Sequence, residues 1–225
     1  MLQKIIANLL LFAVLFSACN HTNEKIEVDE AFAAYISGYT TGIVSKNNSI
    51  FIKFTKKYGG DINPLEELDD DLLEFSPSLD GKLHWINPYT LEFVPEESME
   101  SNQVYTGTLQ LSDLYEVEDG FEKFQFQFTT IKQDFTVRVE GLRAYSAENL
   151  KKQYLEGNVL FADDVDTTQA YKLLQAEQLG ANLKVTYTQE SSRLIHFKVD
   201  SVTRAENESV LLLSWDGDVV DVDDE

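Results

Sequence analysis

The chain has 225 residues, enough for one or two domains that each bury a core. Hydrophobic residues make up 43% and charged residues 25%, a globular composition rather than a disordered one. Asp and Glu number 39 against 18 Lys and Arg, a formal net charge of -21; such a surface repels phosphate backbones and anionic headgroups, which argues against a nucleic-acid partner and against membrane binding through a basic face.

The amino terminus has the pattern of an export signal. Met1 to Lys4 carries one positive charge, and Ile5 to Phe16 (IIANLLLFAVLF) is apolar apart from Asn8. That run is too short to span a bilayer, which takes about 20 residues, but it fits a signal h-region of about 7–15. Ser17 and Ala18 then place small residues before Cys19, the single cysteine of the chain. Phe16-Ser17-Ala18-Cys19 resembles a bacterial lipobox, with Phe16 where that pattern prefers Leu. The resemblance implies cleavage between Ala18 and Cys19, residues 1–18 being the signal, and diacylglycerol on the Cys19 thiol. It places the mature chain in the cell envelope, lipid-anchored at a periplasmic or outer-membrane surface. With one cysteine, no disulfide forms within the chain, so an exported domain must rely on its apolar core.

Residues 19–30 are polar and aperiodic, and read as a flexible tether. From Ala31 onward apolar residues alternate. Ser49–Thr55 places Ile50, Ile52 and Phe54 on one face; Val104–Leu111 does so with Tyr105, Leu109 and Leu111; Phe124–Thr130 does so with Phe124, Phe126 and Phe128. These patterns predict half-buried strands. Gly59-Gly60, Asp80-Gly81, Asn87-Pro88 and Asp119-Gly120 mark turns between them.

A boundary is expected near Ile131–Asp134. Beyond it, strands are predicted at Phe135–Val139, Gly157–Phe161, Leu183–Tyr187, Leu194–Val199 and Val210–Trp215, and a short helix over Thr168–Leu179, whose Ala, Leu and Gln favour it. The expected architecture is mainly β: two antiparallel β-sandwiches in tandem, over residues 31–132 and 133–217, with an acidic tail at 218–225.

Little in the sequence carries chemistry. His21, His84 and His196 have no metal-ligand spacing, and the cysteine is assigned to lipid. No nucleophile elbow, dinucleotide fingerprint or P-loop occurs, so no cofactor and no catalytic residue is expected. Acidic clusters at Glu66–Asp71, Asp163–Asp166 and Asp216–Glu225 lack the alternating spacing of a calcium loop and read as solvated. Trp85, Tyr89, Tyr105 and Trp215 are expected in the core, the alternative being a carbohydrate-stacking platform. Asp166-Thr167-Thr168 and Asp200-Ser201-Val202 resemble O-glycosylation triplets of secreted Bacteroidetes proteins.

Leu73–Leu111 contains, in order, Phe75-x-Pro77, Gly81, Trp85, Thr90-Leu91-x-Phe93-x-Pro95 and Tyr105. This resembles the Ig-like sandwich domains of bacterial surface proteins. Together with the lipobox, Ala34–Phe54, Gly157–Asp166, His196–Ser209 and Leu211–Gly217, it resembles the amino-terminal end of the bacterial alpha-2-macroglobulin family, with an Ig-like domain followed by a macroglobulin-like one. The resemblance implies a protease inhibitor of Bacteroidetes type whose partners are proteases. The bait segment and Cys–Gln thioester of such traps have no counterpart here, and family members are several times longer. The expectation is therefore a non-enzymatic anchoring portion, truncated at Glu225. The alternative is an Ig-like surface lipoprotein that binds carbohydrate or protein.

Overall fold

A computed structural model describes residues 25–64, 66–206 and 208–220. Ala18, Cys19 and His21 lie outside the described residues. The described residues form four β-sheets that pack as two sandwiches around two separate hydrophobic cores.

The first sandwich faces two four-stranded sheets. One has the order β1 (Ile36–Tyr39), β3 (Ile50–Phe54), β6 (Thr90–Pro95), β5 (Gly81–Asn87). The other has the order β2 (Gly42–Val44), β8 (Lys123–Thr130), β7 (Val104–Gln110), β4 (Leu73–Ser76). The pairs are antiparallel except β2 with β8, which is parallel. This follows from the chain leaving the first sheet after Tyr39 and joining the second at Gly42, whose φ of 77° supports the change of direction.

Period-two patterning sets the register of these strands. Phe124, Phe126 and Phe128 are buried, and so are Ile50, Ile52 and Phe54. Burying each such side chain contributes roughly 1.5–3 kcal/mol. Trp85 is 2% exposed, with its ring stacked 4.7 Å from that of Tyr58 and tilted against that of Phe54 at 5.4 Å. Tyr105 stacks on Phe128, and its hydroxyl accepts the Glu100 N–H. Within the expected tether, Ile26 N–H donates to Gln127 Oε1, and Val28 packs on the first core. The Asp29 carboxylate then caps a 3-10 turn, Glu30–Ala34, by accepting from Ala31 N–H.

The second sandwich is four strands on three. Its larger sheet has the order β13 (Val185–Gln189), β14 (Leu194–Thr203), β10 (Asn149–Phe161), β9 (Phe135–Ser146). The smaller has the order β12 (Ala181–Leu183), β11 (Leu174–Gln178), β15 (Leu211–Trp215). Val159, Phe161, Ile195, Phe197 and Val199 fill the core.

The structure corrects three expectations. The helix predicted over Thr168–Leu179 is one turn, Thr167–Ala170, capped by Asp166, and then β11. Leu174, Ala176 and Gln178 point inward and Gln175 and Glu177 outward, so pairing with β12 and β15 overrides helix propensity. The strands predicted at Phe135–Val139 and Gly157–Phe161 are much longer. They run together as a hairpin whose outer part, near Ser146 and Asn149, is exposed on both faces and so carries no alternating signal. The strand predicted over Leu183–Tyr187 is split between β12 and β13. The acidic tail begins with a 3-10 turn, Gly217–Val220, whose Val220 is buried in the second core.

Candidate functional site

Four residues, Ile131 to Asp134, separate the last strand of the first sandwich from the first strand of the second. Such a link would be a hinge if its backbone were solvated. Here its polar groups are taken up on both sides. Ile131 N–H donates to Val44 C=O, continuing the β2–β8 ladder, and Ser101 Oγ donates to Ile131 C=O. Gln133 N–H donates to Ser101 Oγ at 2.8 Å. Ala162 N–H donates to Asp134 C=O.

Two side chains close the junction, Gln133 and Asp163, each only 2% exposed. Gln133 Nε2 donates to the carbonyls of Asp163 and Asp164, at 3.3 and 3.2 Å. Its Oε1 accepts from Asp163 N–H at 2.9 Å and Asp134 N–H at 3.2 Å. The carboxamide thus uses both donors and both lone pairs. The Asp163 carboxylate reaches back into the first sandwich, where Oδ2 accepts from Lys46 N–H at 2.8 Å, while Oδ1 accepts from Asp164 N–H. Lys46 C=O in turn accepts from the N–H of Met99, a buried residue of the first core.

A more exposed layer lies over these bonds. Asn47 Nδ2 donates to Asp164 Oδ2 at 3.2 Å, and Ser98 Oγ donates to Asn47 Oδ1 at 2.6 Å. The Asp164 carboxyl is held below its ordinary pKa, first by its hydrogen bond with Ser192 and then by that with Asn47, with Arg193 and Lys46 adding positive charge. One carboxylate is therefore stabilised by both sandwiches. The cluster Asp163–Asp166, expected as a solvated loop, divides by role: Asp163 is a buried bridge, Asp164 a partly buried one, and Asp166 a helix cap.

The other candidates do not assemble. His84 pairs with Glu92 on neighbouring strands of the first sandwich, and His196 pairs with Glu190 in the second. Among the described residues no group of three His, Cys, Asp or Glu side chains could hold a metal ion, and no helix is long and apolar enough to cross a membrane. Trp85 and Tyr105 lie inside the first core, while Tyr89 and Trp215 are about half exposed on different sandwiches, so the four aromatics share no surface. Thr167 opens the one-turn helix that Asp166 caps, and Ser201 sits at a φ of 65° beside the Tyr145–Asp200 contact. The bridge residues Gln133 and Asp163 were not singled out from sequence, since an isolated Gln and an Asp in an acidic run carry no spacing signal.

Fold and junction define a tandem β-sandwich protein in which buried polar side chains join the two units. No protein-family model matches the chain, and no curated protein sequence matches it. Among solved structures it is similar to an L,D-transpeptidase from Mycobacterium tuberculosis H37Rv, at 8% identity and a TM-score of 0.31, over 69% of this chain and 59% of that one. It is also similar to L,D-transpeptidase 3 from Mycobacterium tuberculosis in complex with a faropenem-derived adduct, at 9% identity and a TM-score of 0.31, over 71% of this chain and 64% of that one. The chain thus spans less than two thirds of the length of either.

Proposed function

We propose that this chain is a lipid-anchored, non-catalytic spacer of the bacterial envelope that holds an attached or bound partner at a fixed geometry from the membrane. The observation that supports this reading most is the closed junction. A flexible linker of four residues would be the default between two sandwiches, yet Gln133 and Asp163 bury their polar groups to bridge the two units. Burying them without partners would cost about 1–3 kcal/mol for each unsatisfied group, and their full pairing resists bending. In the more specific form of the proposal, the partner is the protease-trapping remainder of an alpha-2-macroglobulin-like inhibitor, and proteases are met through that remainder.

Two experiments test this. Expressed with its own leader in a bacterial host, the chain should incorporate labelled fatty acid and fractionate with membranes, and Cys19→Ser should do neither. Equal membrane association of both proteins would sink the anchor. The inhibitor form requires a bait segment and a Cys–Gln pair in the same polypeptide; a stop codon directly after Glu225 in the natural gene would overturn it and leave the spacer reading standing.

A further inference from the structure

The two sheets of the first sandwich leave a seam open along one side. The strands that border it, β4 and β5, are consecutive in sequence, and each is the outer strand of its sheet. Between them lies a cavity of about 610 Å³, lined by Leu73, Phe75, Leu79, Leu83 and Phe93 and by the acids Glu67, Asp71, Glu74, Asp80 and Glu96. A second hollow of about 290 Å³ shares Ser78, Leu79, Asp80 and Glu96 with it and adds Glu97 and Glu100. The two form one groove.

Its base is apolar and its rim is acidic. Leu73, Leu83 and Phe93 belong to the core, and half-buried Phe75 packs 4.7 Å from the Phe93 ring. The seven carboxylates named are exposed. Lys82 reaches Glu67 at 3.2 Å, which offsets one of them. Gly81 keeps the Phe93 ring in place: a Cβ there would lie 2.5 Å from Phe93 Cζ and from Val94 C=O.

Outer strands present backbone donors and acceptors to any extended chain laid beside them. An acidic rim selects among such chains by charge. We infer that this groove docks an extended, lysine- or arginine-bearing segment of a partner protein, added as a strand beside β4 or the Gly81 end of β5. On β5 only the Gly81 end is offered, since Leu83 C=O, two residues on, already accepts from Leu68 N–H. Alternate residues of the segment would point to opposite faces. One set would cover Phe75 and Leu79, and the cationic set would meet Glu74, Asp80 and Glu96. The proposal concerns a binding surface and does not depend on lipidation or on protease trapping.

The test uses the full chain and a labelled peptide alternating lysine and valine, read by fluorescence anisotropy and by amide shifts. The triple variant Glu74→Gln, Asp80→Asn, Glu96→Gln should weaken binding at least about tenfold, as expected when several charge contacts are removed. A control with equal charge change outside the groove, Asp61→Asn, Glu116→Gln, Glu118→Gln, should change it less than about twofold, the screened long-range part of the interaction. Shifts should concentrate at Leu73–Phe75 and Gly81. N-methylation of alternate peptide amides should abolish binding while leaving peptide charge unchanged. Equal weakening by both triple variants, indifference to N-methylation, or no binding of the peptide would each overturn the proposal. All substituted residues are exposed, so circular dichroism should show each variant folded.

Discussion

Gln133 and Asp163 hold each other reciprocally: the carboxamide oxygen accepts the Asp163 N–H, and the carboxamide nitrogen donates to the Asp163 carbonyl. The Asp163 carboxylate then accepts from Lys46 N–H of the other sandwich. Near-isosteric changes at these two positions should fail for opposite reasons. Asp163→Asn turns one acceptor into a donor, which then faces an N–H of Lys46 or Asp164. Gln133→Glu removes the donor and sets a carboxylate oxygen against two carbonyls. Each should cost about 1–3 kcal/mol in urea unfolding, the usual penalty for an unsatisfied buried group. Asp163→Ala, which strands both N–H groups, should cost about 2–4 kcal/mol. Small-angle scattering should also show a wider distribution of interdomain angles. Wild-type stability and scattering for Asp163→Asn would contradict the bridge.

Each sandwich also places a glycine directly opposite a phenylalanine across an antiparallel ladder, Gly107 against Phe126 and Gly157 against Phe197. The ring lies over the glycine in both. A Cβ on Gly107 would sit 2.4 Å from Phe126 Cζ, and one on Gly157 would sit 2.4 Å from both Phe197 Cζ and Arg138 C=O. A ring tip can shift, but a ladder carbonyl cannot move without breaking pairing. Gly157→Ala should therefore be the worse of the two, by thermal unfolding. Overpacking of this kind costs about 1–3 kcal/mol. Equal melting of the two variants would show that the carbonyl contact relaxes.

How much of this was legible in the sequence depends on which face of a strand carries the information. Phe124, Phe126 and Phe128 alternate with Gln125, Gln127 and Thr129, one face packed and one wet, so their strand is readable residue by residue. The outer half of the β9–β10 hairpin has two wet faces, and its sequence could as well be a loop. Within the helix expected over Thr168–Leu179, residues 174–178 mislead in the other direction, because helix-favouring Ala, Leu and Gln are held in a strand by neighbours distant in sequence, Leu213 opposite Ala176 for example. The junction was legible as a boundary between two strand patterns. It was not legible as a bridge, since Gln133 and Asp163 become special only when both sandwiches surround them.

The β11–β12 hairpin closes through a two-residue turn, Leu179-Gly180, with φ of 53° and 76°. Two positive φ values mark a type I′ turn, which favours Asn or Asp followed by Gly. Leu179 is 78% exposed, so it gains little packing to offset the strain. A left-handed residue other than glycine or asparagine costs about 1–2 kcal/mol. Leu179→Asn should recover about half of that and raise the melting temperature. A lower melting temperature would mean that the leucine makes a contact more valuable than the turn conformation is costly.

Acid should weaken the junction. The Asp164 carboxyl is held below its ordinary pKa by Ser192 and Asn47. A carboxyl with a depressed folded-state pKa contributes stability that is present above its unfolded pKa, about 3.9, and is lost as pH falls through the folded value. Asp200 in the second sandwich behaves alike, lowered first by the Tyr145 hydroxyl and then by Lys198. Both effects fall in the same acid window, so the wild-type curve cannot separate them. Asp164→Asn removes the Asp164 titration and leaves Asp200 in place. Below about pH 4, interdomain disorder measured by scattering should rise in the wild type. In Asp164→Asn it should already be raised at pH 7 and change little with acid. The Asp200 contribution should persist in that variant as a fall in the urea midpoint across the same window. A pH-dependent scattering change that survives in Asp164→Asn would place the acid-sensitive contact elsewhere.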